Sequence, residues 1–265
     1  MFTDISFIDH WQYLFLNVLG FLVIMGLGCY SARKNNFTWF RALVYTAGIP
    51  VVFLIGTRLA YLFFYADINN PAVHFLDPKL YGFSLYGGLI LVVLYSCIIA
   101  LFSRIPVWSW LDYHTLGLMG YVSLGKTGCF MNGCCFGIPT LVPWGISYAP
   151  GSQAYNYYIV QAFSHTASHS WSVYSDRIHP VQLYESLLMA GFALVYAVQL
   201  WLGSDFWKIN GFYLAVGFYA AQRFLLEIWK PYEAVFGGLT LFQILSLVLL
   251  SYAITMLVTQ DREPS

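Results

Sequence analysis

A chain of 265 residues that is 59% apolar and 20% aromatic but only 9% charged cannot cover a soluble globule of its size with a solvated surface, so its solvent is lipid. Twelve basic residues offset twelve acidic ones, and a net charge of zero leaves no bulk field for nucleic acid or for a polybasic membrane tether. Five cysteines are too few for a disulfide scaffold.

The first apolar run, 13–32, follows an acidic opening (Asp4, Asp9) and reaches Arg33 and Lys34 with no small-residue cleavage site, so it reads as a retained span. Further apolar stretches lie near 42–65, 81–103, 107–126, 180–203, 209–229 and 235–259. Each is long enough to cross ~30 Å of hydrocarbon. The expected fold is therefore an all-α integral membrane protein with about seven transmembrane helices. Helices 1–4 fall in 1–127, a small outer head in 128–179, and helices 5–7 in 180–265. With the N-terminus outside and the C-terminus cytoplasmic, the inner loops carry Arg33, Lys34, Arg41, Arg104, Lys208 and Arg262, and the outer ones only Lys79, Arg177 and Lys230. The head is rich in Tyr and Trp (Trp144, Tyr148, Tyr155, Tyr157, Tyr158, Trp171, Tyr174), which suit an aromatic belt at headgroup level. Cys29 and Cys97 sit in apolar runs as small hydrophobes, whereas Cys129, Cys134 and Cys135 sit at the junction of the fourth helix and the head.

Three cations fall inside the expected spans: Arg58, Lys126 and Arg223. At ~1.5 Å per residue each reaches the outer half of the bilayer, beside Tyr13, Tyr86, His179, Gln182 and Glu185 from helices running the other way. Arg223 and Glu227 share a helical face, and a local ion pair that serves stability alone is the plain alternative to a functional role. Arg58, Lys126 and Arg223 set against Glu185 and Glu227 leave one positive charge, which an anionic lipid headgroup would balance. Glycines gather at the same depth: Gly87 and Gly88 after Tyr86, then Gly125, Gly128, Gly133 and Gly137. Helix packing through small residues and a loop that wraps a ligand both remain open for them.

The stretches Gly56-Thr57-Arg58-Leu59-Ala60-Tyr61, Ser84 to Ile90 (SLYGGLI), Gly125 to Gly137 (GKTGCFMNGCCFG), His179 to Glu185 (HPVQLYE) and Arg223 to Glu227 (RFLLE) together resemble the prolipoprotein diacylglyceryl transferase family over nearly the whole length. The resemblance implies a seven-helix enzyme of the bacterial inner membrane. Family members move the diacylglyceryl group of phosphatidylglycerol to the lipobox cysteine of a lipoprotein precursor, a step of lipoprotein biosynthesis that releases glycerol phosphate. Carried onto this chain, it implies headgroup binding by Tyr13, Arg58, Gly87, Gly88, Lys126, Asn132, Gly137, His179, Gln182, Tyr184 and Arg223, and catalysis by Tyr86, Cys129, Cys134, Glu185 and Glu227. The sequence departs from the family where a histidine usually precedes the paired glycines, here Tyr86. It departs again where the signature has arginine, asparagine and glutamate, here Lys126, Cys129 and Cys134.

The main reading is thus a phospholipid-dependent transferase, with phosphatidylglycerol as donor, a lipoprotein precursor or other thiol as acceptor, no nucleic-acid partner, no cofactor and no metal. Arg223, Lys126 and Arg58 would neutralise the departing phosphate, and Glu185, Glu227 or Tyr86 would take the acceptor's proton. A second reading is a redox or metal-handling membrane protein that keeps the fold, with Cys129, Cys134, Cys135, His165, His169 and His179 as soft ligands or a Cys129–Cys134 disulfide. A third is a non-catalytic protein that binds anionic lipid. A cysteine alkylated by the glyceryl group would hold it as a thioether, a poor leaving group, so the cysteines are not expected to be alkyl carriers. Cys134 and Cys135 are expected to point apart, with Cys129 and Cys134 nearest the cations.

Overall fold

The computed structural model describes residues 4–5, 10–64, 85–158 and 175–259. Within them are α1 (His10–Lys34), α2 (Trp39–Phe64), α3 (Leu85–Ser103), α4 (Val107–Met131), α5 (Val181–Trp201), α6 (Asp205–Leu226) and α7 (Leu241–Thr259). Each of these helices overlaps one of the apolar runs, and a further helical turn covers 153–158. By length and composition, α1, α2, α5 and α7 can cross a membrane. The apolar part of α3, Ile90–Ser103, is shorter. The helices α4 and α6 are diluted by His114 and Lys126 and by Asp205, Lys208 and Arg223, so the polar groups that mark a site also weaken the span signal. Large apolar side chains such as Phe15, Phe40, Leu101, Leu187, Leu194 and Val258 are exposed, as lipid contact requires.

Four of the helices end by a shared device. Residues in the left-handed region, Asn36, Arg104, Gly133 and Gly203, follow α1, α3, α4 and α5. The next amide then turns back to a carbonyl five residues earlier: Phe37 to Ala32, Ile105 to Ala100, Cys134 to Cys129 and Ser204 to Gln199. This C-cap satisfies the last carbonyls and brings the residues on either side of it together.

The chain divides into two packed units. In the unit Ile24–His114, α2 and α3 meet at Gly56, Gly87 and Gly88, where a Cβ on Gly87 would stand 2.1 Å from the Gly56 carbonyl oxygen. Those glycines are used for helix packing. His114 is stitched into the same unit by both nitrogens. Its Nδ1 meets the Trp110 carbonyl at 2.8 Å, which can only accept, so Nε2 accepts from Thr46 Oγ1 at 3.1 Å. Gly87→Leu is expected to push α2 from α3 and cost ~2–3 kcal/mol or more. Thermal unfolding of the purified protein in detergent checks it, and an unchanged midpoint would show that the contact does not matter.

The second unit comprises Met1–Val23 and Thr115–Ser265. Here α6 packs between α5 and α7, with Phe192 stacked on Phe218 at 4.3 Å and Met119, Met189, Tyr196 and Ala215 in the core. The segment after α4 builds a small core of its own from Tyr148, Ala154 and Ile178, flanked by Phe130, Phe136, Ile146 and Tyr158. Strand β1 (Asp4–Ile5) pairs in parallel with β2 (Ser147–Tyr148), and β3 (Ala234–Phe236) with β4 (Leu239–Thr240) in an antiparallel hairpin before α7. His165, His169, Trp171 and Tyr174, named above as ligands or belt residues, lie outside the described residues.

Candidate active site

The site grows from the C-terminus of α4. Its last turns carry Lys126 and Cys129, and the left-handed Gly133 lets the Cys134 amide reach the Cys129 carbonyl at 3.1 Å, so the cap itself sets the Cys134 side chain beside Cys129. A Cβ on Gly133 would also meet the Cβ of Ser152 at 2.9 Å. Cys135 is left-handed too, with φ 58, an uncommon conformation for a residue with a side chain. The result is that the sulfurs of Cys129, Cys134 and Cys135 all lie within 4.8 Å of one another. The expectation that Cys134 and Cys135 point apart is therefore corrected: positive φ at Cys135 folds its thiol back onto the other two. Hydrogen bonds from the Cys129 and Cys134 thiols hold the Cys135 thiol well below its ordinary range against the effect of burial, with Lys126 and Arg223 acting in the same sense. At Cys134 the contact with Cys129 lowers the pKa, but the Cys135 contact and burial outweigh it and push it up to about 12. Cys135, rather than Cys129 or Cys134 alone, is the thiol on which the cations act.

Beside the thiols stands a buried charge cluster centred on Glu185, in the second turn of α5 and 1% exposed. Its Oε2 pairs with Lys126. Its Oε1 accepts from Arg223 Nη1 at 2.9 Å and from Lys230 Nζ at 2.5 Å. Arg223 also reaches Glu227 at 3.2 Å, one helical turn on, and its guanidinium lies 4.8 Å from the centre of the Phe242 ring. Glu227 accepts a second bond from Thr240 Oγ1 at 2.9 Å, so the β3–β4 hairpin and α7 close the cluster from behind. Among the described residues three cations meet two carboxylates, and the Cys135 thiol lies within reach of two of those cations. Lys230 enters because a 3₁₀ turn, Glu227–Trp229, follows α6 and brings the chain back before Pro231. Sequence reasoning placed Lys230 among the outer-loop charges. The signal that would have found it is its position three residues after Glu227, in a run that Pro231 must end.

Around this cluster the remaining residues hold the loop after α4. Gln182 is fully buried and its Nε2 donates to the Cys134 carbonyl at 2.7 Å and to Tyr148 Oη at 3.3 Å. Gly137 passes so close to His179 that a Cβ would stand 2.6 Å from its carbonyl oxygen, and the Gly137 amide donates to that carbonyl at 3.1 Å. Tyr184 Oη accepts from Trp144 Nε1 at 2.7 Å and lies 3.3 Å from His179 Nδ1, and burial lowers the His179 pKa. Asn132 shares a hydrogen bond with Cys134. Tyr13 packs against Gly128, within electrostatic reach of the three thiols.

Of the residues named from sequence, Tyr13, Lys126, Cys129, Asn132, Cys134, Gly137, His179, Gln182, Tyr184, Glu185, Arg223 and Glu227 all belong to one packed unit. Arg58, 6% exposed, and Gly87 and Gly88 belong to the other. Tyr86 lies in the first turn of α3, and its side chain is outside the described residues.

Apolar helices exposed to lipid, around a buried cationic cluster and a thiol group, define a polytopic membrane protein with a polar site held among its helices. The family model of prolipoprotein diacylglyceryl transferase matches residues 2–259. The chain belongs to that family of transferases. It is 30% identical over 266 residues to the phosphatidylglycerol–prolipoprotein diacylglyceryl transferase of Proteus mirabilis (strain HI4320), covering 94% of this chain and 87% of the relative. The protein of the same name from Erwinia tasmaniensis is 29% identical over 94% of this chain and 87% of its own. For Coxiella burnetii (strain Dugway 5J108-111) the figures are 29%, 90% and 85%.

Proposed function

We propose that this chain transfers the diacylglyceryl group of phosphatidylglycerol to a thiol acceptor, in the manner its relatives' names describe, at the outer leaflet of a bacterial inner membrane. In this reading all seven helices span the bilayer, the N-terminus and the 128–179 head lie outside, and the C-terminus is cytoplasmic. The observation that carries it is the buried cluster in which Glu185 and Glu227 orient Lys126 and Arg223 while both cations keep one side open. A phosphodiester suits that open side, because a guanidinium and an ammonium make charge-assisted hydrogen bonds to phosphate oxygens.

The side chains divide the work by exposure. Lys230 is 1% exposed and serves to hold Glu185, whereas Lys126 at 16% and Arg223 at 12% retain an open side on which a phosphate can bind. The acceptor sulfur forms a bond to the glyceryl carbon as the carbon–oxygen bond to phosphate breaks; glycerol phosphate leaves with the electron pair, and the thiol proton passes to the departing phosphate or to water. Charge therefore builds on the phosphate, where Lys126 and Arg223 wait already oriented by the two carboxylates. Glu185 and Glu227 act as positioning residues. Gln182 Oε1 is buried with no hydrogen-bond partner among the described residues, an acceptor that suits a glycerol hydroxyl.

Purified protein in detergent, given phosphatidylglycerol labelled in the headgroup and a lipobox peptide, is expected to release labelled glycerol phosphate and form a thioether-linked diacylglyceryl peptide. A monodisperse preparation that turns over no phosphatidylglycerol with a thiol acceptor overturns the reading. Asp176→Cys should be labelled by an impermeant maleimide from outside the cell, and labelling from the cytoplasmic side alone would overturn the orientation.

A further inference from the structure

Cys129, Cys134 and Cys135 do not belong to the charge cluster, and headgroup binding assigns them no task. Their arrangement is unusual in three respects. The sulfurs lie within 4.8 Å of one another, each side chain is partly exposed, and all five cysteines of the chain are free thiols. The C-cap of α4 sets Cys134 against Cys129, and Cys135 joins them through a left-handed backbone uncommon for a residue with a side chain. Gln182 then pins the Cys134 carbonyl from α5 at 2.7 Å, so the loop is fixed by a second element.

We propose that Cys129, Cys134 and Cys135 form a three-thiolate site for a soft divalent d¹⁰ cation of the Zn²⁺ class. Three sulfurs at ~2.3 Å from Zn²⁺ stand roughly 4 Å apart, so closing onto an ion asks only a small rotation of each thiol. On binding, three S–H bonds are replaced by three S–metal bonds and three protons pass to water. A monovalent soft ion on three thiolates would leave two negative charges in a largely buried site and a divalent ion leaves one, with Lys126 and Arg223 on the side to meet it. Three protein ligands leave a fourth position for water or another thiolate, the pattern of an open site rather than a closed structural one. The proposal replaces the sequence-based expectation that no metal is held here, and its test reads metal binding without turnover, so its failure and that of the transfer reading are distinguishable.

The test uses the full-length protein, reduced, freed of metal and kept in detergent. Co²⁺ is titrated in and then displaced by Zn²⁺. One Co²⁺ per chain, with strong near-ultraviolet sulfur-to-cobalt absorption abolished by one equivalent of Zn²⁺, is expected. Cys129→Ser, Cys134→Ser and Cys135→Ser should each weaken binding ~100-fold or more, while Cys97→Ser leaves it unchanged. Should a variant fail to fold, the unaltered protein still decides: Zn²⁺ should protect three thiols from N-ethylmaleimide by intact mass, mapped to these positions. Absence of the sulfur-to-cobalt band, an unchanged band in the triple serine variant, or equal alkylation with and without Zn²⁺ would each overturn the site. So would a Cys129–Cys134 disulfide that persists in reductant.

Discussion

Arg223→Ala is expected to lower the rate of phosphatidylglycerol turnover by ~100-fold or more while the protein still elutes as a single species. Removing one preorganised donor from a site where charge develops costs on the order of 2.7–4 kcal/mol of transition-state stabilisation. Arg223 is placed to matter more than its neighbours because it spans both carboxylates, at 2.9 Å to Glu185 and 3.2 Å to Glu227, and keeps one side open. Arg223→Lys should recover part of the loss, since a lysine restores the charge without the planar fork. Glu227→Gln should be milder than Arg223→Ala, because Thr240 and Phe242 still hold the region. Initial rates of headgroup release for the three variants test the order. Near-normal turnover in Arg223→Ala would reduce the Arg223–Glu227 pair to a local ion pair that serves stability alone.

Glu185→Gln is expected to act on stability before it acts on rate. The neutral amide leaves Lys126, Arg223 and Lys230 facing one another around a 1%-exposed position, with Glu227 as the one carboxylate of the cluster. Breaking a buried ion pair on one side costs ~3–5 kcal/mol, because the remaining charges lose their counterion while still shielded from water. The double variant Glu185→Gln/Lys230→Met should recover much of that, since it removes one cation along with the anion and returns the cluster to its native charge. Thermal unfolding in detergent separates the outcomes: a double variant no more stable than the single one would mean that Glu185 contributes through its shape and hydrogen bonds, not its charge.

Much of the helical pattern was legible because apolar runs long enough for a bilayer are hard to use otherwise. The run 13–32 became His10–Lys34 and 180–203 became Val181–Trp201. Loop ends were less legible, and the last expected run began at 235 although α7 starts at Leu241. A hairpin of apolar residues, Ala234–Phe236 and Leu239–Thr240, looks the same to hydropathy as the first turns of a helix. At the site, Arg223 with Glu227 was readable from their four-residue spacing. Lys230 was not, because a cation just past an apparent span resembles any interfacial charge until the 3₁₀ turn is seen to bring it back to Glu185.

What the sequence determined by itself, then, was lipid as solvent, helices as the elements, and the family through motifs spread over the whole chain. Each of these depends on residue types and short spacings, which are local. Only the tertiary structure decided that Glu185 is shared by three cations, that Gly87 lets α2 and α3 approach closely, and that three thiols meet. The first two join residues from 87 − 56 = 31 to 185 − 126 = 59 positions apart, and no local rule constrains them. The third turns on the sign of one backbone angle at Cys135, and a cysteine's identity does not announce it.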